Sequence, residues 1–127
     1  MKTNPHQNGF SLLELVIAVS IFSVGLLALA AMTTSVINGN RISKNFTVAV
    51  TLAQTKLDDL RALDYDEIIH GTENQLDETG AVGMGIFTRV VTVESSNTNP
   101  TYKTVSVTVS WTDLSAKHVV LKSLIAP

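Results

Sequence analysis

The chain has 127 residues, with 9 Lys+Arg against 11 Asp+Glu for a formal net charge of -2, and that length holds one domain of modest core. No basic stripe is available, so no nucleic acid is expected as a partner. With no cysteine, thiol catalysis, disulfide stapling and cysteine-ligated metal centres are excluded, while the redox compartment stays open.

The first predicted element runs from Phe10 to Ile37, 28 residues whose only ionisable side chain is Glu14. As a helix it reaches about 42 Å, against roughly 30 Å for the hydrocarbon core of a bilayer, so it can span a membrane. A buried core helix is the first alternative, but the remaining chain is too short to wrap this segment on every side. A cleaved secretory signal is the second, because Ala28-Leu29-Ala30 has the small-x-small form that signal peptidase uses. Against it, Glu14 offsets Lys2 in what should be a clearly positive leading region. Lys2 precedes the span and Arg41 and Lys44 follow it, so counting positive charges leaves the orientation open. A carboxylate such as Glu14 costs about 2.5 to 3.5 kcal/mol at mid-bilayer and calls for a cationic partner. The plainer alternative is a side chain that snorkels to the headgroups. No proline interrupts the segment, and Gly25 is its one weak point.

Beyond Asn38-Gly39-Asn40 the helical rhythm continues in a more polar chain. Ile42, Phe46, Ala49, Ala53, Leu57, Leu60 and Leu63 recur at three and four residues, the stripe of an amphipathic helix lying on a sheet. Arg41, Lys44, Lys56, Asp58, Asp59 and Arg61 between them read as a solvated face. Residues 64–85, rich in carboxylates and glycines, read as a long connection. Asp64, Asp66 and Glu67 are close together, but Asp77-Glu78 lies ten residues further on and calcium-loop spacing is absent. No metal site is expected there. His70 and His118 are solitary and read as surface residues.

The last third changes period. Val105, Val107, Val109 and Trp111 alternate with Thr104, Ser106, Thr108 and Ser110, as in a half-buried strand with Trp111 as a core anchor. Strands are expected on either side, over 86–94 and 118–125, separated by the turn-rich SSNTNPT and DLSA segments. The expected fold is α+β: a long N-terminal helix, half membrane-spanning and half amphipathic, packed on a small antiparallel three-stranded sheet.

The junction Asn8-Gly9-Phe10-Ser11-Leu12-Leu13-Glu14-Leu15 resembles the signature of the type IV pilin and type II secretion pseudopilin superfamily. In that signature a polar leader ends in Gly, an aromatic residue follows, and a Glu comes four residues later. The resemblance implies a pilin-like fold and a leader, 1–9, cut by prepilin peptidase between Gly9 and Phe10 on the cytoplasmic face. It further implies N-methylation of Phe10, and pairing of Glu14 with the new Phe10 amino group during assembly. The implied domains are a transmembrane and assembly helix over 10–37 and an extracytoplasmic domain over 38–127. The implied partners are prepilin peptidase, other minor pilins, the major pilin and the inner membrane, with no catalytic residue, no cofactor and no metal. The stretch TVAVTLAQTKLDDLRALDYD and the ending VSVTVSWTD...HVVLKSLIAP are similar to the V-type minor pilins, the pilus modification proteins. The I-type pseudopilins of type II secretion share the plan and form the alternative. A signal-anchored periplasmic enzyme or binding module is the alternative of another class.

Overall fold

The computed structural model describes residues 9–96, 102–113 and 115–127. All of the expected leader except Gly9, and most of the expected SSNTNPT turn, lie outside the described residues. The chain divides into two compact units, Met1–Asn40 and Arg41–Pro127, and one helix, α1 (Leu12–Arg61), supplies residues to both.

In the first unit α1 begins with Leu15 N–H donating to the carbonyl of Ser11 at 3.1 Å. It continues through Gly25 and Gly39 without interruption, since no proline removes a donor from the ladder. The hydroxyls of Ser20 and Ser23 donate to the carbonyls of Val16 and Val19 at 2.7 Å. Those of Thr33, Thr34 and Ser35 do the same to Leu29, Ala30 and Ala31. The helix thereby satisfies these polar side chains itself, as a segment away from water requires. Every residue of α1 from Leu12 to Ile37 is exposed.

In the second unit the rest of α1 buries Asn45, Ala49, Leu52, Ala53, Leu57 and Leu60. This corrects the expected stripe, because Ile42, Phe46 and Leu63 are exposed. Ala49 and Ala53 are both fully buried and lie in the same core cluster as the strand valines. After a short 3-10 turn, η1 (Tyr65–Glu67), come four strands: β1 (Gly71–Leu76), β2 (Phe87–Ser96), β3 (Tyr102–Thr112) and β4 (Ala116–Ile125). They form an antiparallel meander in the order β1-β2-β3-β4. The sheet therefore has four strands, not three, and the extra one lies inside the expected 64–85 connection. β1 reads GTENQL and buries only Leu76, so it has no alternating apolar face, and a bulge between Glu73 and Leu76 breaks its register.

Val105, Val107 and Val109 of β3 are completely buried, joined by Phe87, Val91, Leu76, Ile68 and the helix face. Trp111 is buried with them, its ring centroid 5.9 Å from that of Phe87. An aromatic neighbour thus stands beside Trp111, supplied by β2 rather than by nearby sequence.

Arg89 is a buried charge of this unit, 7% exposed. It lies opposite Glu73 in the β1–β2 register, donates from Nε to Glu73 Oε2, and donates from Nη1 to the carbonyl of Leu52 at 3.1 Å. Lys56 Nζ donates to Glu73 Oε1 at 2.8 Å, so one carboxylate ties helix, edge strand and core strand together. Burial alone raises the Glu73 pKa, but hydrogen bonds from Arg89 and Lys56 and the attraction of their charges outweigh it, leaving the carboxyl below its ordinary 4.5. A depressed folded-state pKa gives stability that is present above the unfolded value and lost as pH falls through the folded one. Thermal melts of the wild type should therefore weaken steadily below about pH 4.5, with a shallower acid slope in Glu73→Gln. At neutral pH Glu73→Ala should lower stability by about 2 kcal/mol, below the 3 to 5 typical of fully buried pairs because Glu73 is partly solvated. A melting temperature that does not move would contradict this assignment.

Candidate processing and assembly site

Gly9 and Phe10 precede the helix and are exposed, Phe10 at 88%. Nothing lies within 4 Å of where a Cβ on Gly9 would stand, so the backbone at this junction is open to close approach. Ser11 accepts the first helical hydrogen bond, which makes it the N-cap and Glu14 the third helical residue. Ser11 and Glu14 thus have the spacing of a capping box, a local signal that counting apolar residues misses. A carboxylate here meets the positive end of the helix dipole, worth about 0.3 to 1 kcal/mol. Among the described residues Glu14 has no ion pair or side-chain hydrogen bond.

The second unit uses its charges differently. Arg41 Nη2 pairs with Asp113 Oδ1 at 2.6 Å, Lys44 with Glu78 at 2.6 Å, and Arg61 with Asp58 at 3.0 Å. With Lys56 on Glu73, these cations of the expected solvated face each have an acidic partner. Lys103, which no sequence pattern singled out, donates to the carbonyls of Tyr65 and Ile68 and sits 4.4 Å from the centroid of the Tyr65 ring. It holds the link between helix and sheet onto β3. His70 is exposed, its Nδ1 accepting from Val93 N–H at 3.2 Å, and His118 is exposed. Among the described residues no three of His, Asp and Glu gather as metal ligands.

A cleft of about 440 Å³ is lined by Ile86, Thr88, Ser110, Trp111 and Lys117 among others. The Ser110 hydroxyl there donates to the carbonyl of Thr88, so it is not held by a general base. The arrangement is suited to holding a sheet together rather than to moving a proton.

Residues 4–30 match the prokaryotic N-terminal methylation motif. The match spans the junction and most of the apolar half of α1 and ends before the second unit begins. It supports a type IV pilin-like chain, a structural rather than enzymatic kind of protein, and implies processing by prepilin peptidase and association with a pilus or pseudopilus. Together the motif and the exposed apolar helix fit anchoring in the inner membrane. No curated protein and no solved structure matches the chain.

Proposed function

We propose that this chain is a minor pilin that helps initiate or modify a type IV pilus, and is not an enzyme. The observation that carries the reading is the methylation motif at residues 4–30, set on an apolar helix whose one carboxylate, Glu14, has no partner among the described residues. Before cleavage the nitrogen of Phe10 is a peptide amide and bears no charge. Cutting between Gly9 and Phe10 converts it to an amine that is protonated near neutral pH, and methylation leaves it cationic. The cation that Glu14 lacks is created by processing, in its own chain or a neighbour's, and pairing within a low-dielectric helix bundle favours docking. In this reading residues 1–9 are a cytoplasmic leader, 10–37 the transmembrane and assembly helix, and 38–127 the periplasmic domain. The minor role and the kinship with V-type minor pilins rest on sequence resemblance. The I-type pseudopilin reading is separated from it by the deletion experiment below.

Intact mass spectrometry of the membrane fraction should find a mature chain that begins at N-methylated Phe10. A start at Ala31, as signal peptidase would leave, or retention of Met1 in a strain with active prepilin peptidase, would sink the reading.

Glu14→Ala should leave cleavage largely intact, because the change makes membrane residence easier, yet reduce the amount of the chain in sheared surface filaments. Incorporation at the wild-type level would count against the pairing with the Phe10 amine.

Deletion of the chain should abolish surface pili and twitching while secretion continues. Normal pili with secretion substrates trapped in the periplasm would move the chain to the type II secretion pseudopilins.

A further inference from the structure

The two edges of the four-stranded sheet differ in kind. The β1 edge is 6 residues long and broken by the bulge between Glu73 and Leu76, two devices that keep a further strand from adding. The β4 edge has neither. Its 10 residues pair with β3 in one unbroken register, from Ala116 opposite Thr112 to Ile125 opposite Lys103. Only every second residue of an antiparallel strand bonds a given neighbour, so about half of the backbone N–H and C=O groups of β4 point away from β3 and are open to another strand.

The side chains of β4 agree with an unfilled place beside it. No residue of β4 is buried, although Val119, Leu121 and Ile125 pack against the core. On the same face β2 and β3, each flanked by a strand on both sides, bury Phe87, Val91, Val105, Val107 and Val109. On the other face Val120 and Leu124 of β4 are exposed. Charge identifies the occupant. Arg41, Lys44, Lys56, Arg61 and Arg89 each pair with a carboxylate, and Lys103 is held by carbonyls. Among the described residues Lys117 and Lys122 are the cations without an ion pair or hydrogen bond. Both lie on β4, which has no acidic residue. Two β4 strands paired with each other would place four lysines and no carboxylate on one ladder, which opposes a second copy as the occupant. Lys117 and Lys122 are five positions apart, so they stand on opposite faces of the sheet.

We propose that β4 takes up, as a fifth strand, an extended segment of another protein that carries two carboxylates five residues apart with apolar residues between them. Main-chain hydrogen bonds supply the affinity, pairing with Lys117 and Lys122 fixes the register, and Val119, Val120 and Leu121 meet the apolar residues. The probe is a fluorescent peptide of about ten residues, built of valine and threonine with two glutamates at that spacing, added to the full-length chain in detergent. Anisotropy should report binding, and hydrogen exchange should slow at backbone amides of β4 while those of β1 are unchanged. The same peptide with lysine in place of glutamate should bind about tenfold more weakly, the scale of two cross-strand pairs turned from attraction to repulsion. The double variant Lys117→Glu/Lys122→Glu should reverse that preference, and because both lysines are exposed its melting temperature should stay that of the wild type. No binding, equal binding of the two peptides by the wild type, or protection that falls outside β4 would overturn the proposal. So would stronger uptake of the glutamate peptide by Lys117→Ala/Lys122→Ala, because lysines on an edge strand can instead serve to keep other strands away.

Discussion

The rest of this protein depends on the need to keep one helix out of water. Fifteen large apolar side chains between Leu12 and Ile37 are exposed on α1. At about 1.5 to 3 kcal/mol each, leaving them in water forgoes some 20 to 50 kcal/mol, more than the 5 to 15 kcal/mol by which a domain is usually stable. A gain of that size fits a segment that sits in lipid or among other apolar helices. The internal hydroxyl-to-carbonyl bonds of Ser20, Ser23, Thr33, Thr34 and Ser35 suit either setting. Glu14 is the side chain the helix does not satisfy. Its place in the first turn makes it tolerable and keeps it available to a cation from outside the helix.

The same helix then changes medium, and its sequence changes with it. From Arg41 onward one face is buried, with Ala49 and Ala53 fully covered on it. The sheet is narrow, with β3 supplying most of its buried valines, and polar ties supplement the core at its margins. Arg89 and Lys56 converge on Glu73 at the β1 side, Lys103 holds the link after the helix, and Arg41 reaches Asp113 at the β3–β4 turn. Each tie bridges elements distant in sequence, so each adds specificity where a small apolar core supplies little.

The readability of these features follows their physics. The apolar helix, the strand with Val105, Val107 and Val109, and the buried Trp111 are periodic signals, and periodicity survives in the sequence. β1 was not readable, because what holds it is a backbone ladder and the Glu73–Arg89 pair rather than an apolar face. The helix stripe was misplaced in part because hydrophobicity favoured Ile42, Phe46 and Leu63. The buried face instead takes in Asn45 and Leu52 beside Ala49 and Ala53. The Gly-Phe-Ser-Leu-Leu-Glu junction was readable as a motif, whereas the capping position of Glu14 emerges only when the helix start is located. Lys103 and Arg89 had no local signature, since their partners lie 35 to 38 and 16 to 37 residues away.

The motif at residues 4–30 ends before the folded domain starts, and this separates two kinds of information in the chain. An apolar helix with one carboxylate near its start can pack among similar helices, but it offers few groups that would tell one subunit from another. Selectivity requires features that a wrong partner would leave unsatisfied or clashing. In the proposed reading these lie beyond Arg41. β3 alternates its buried valines with Thr104, Ser106, Thr108 and Ser110, and Glu73 and Arg89 of the sheet are paired with each other. In the 82–86 loop the N–H groups of Gly83 and Gly85 are tied to the carbonyl of Gln75, and Asp77 braces the same loop through Thr79 and Ala81, so its shape is set within the domain.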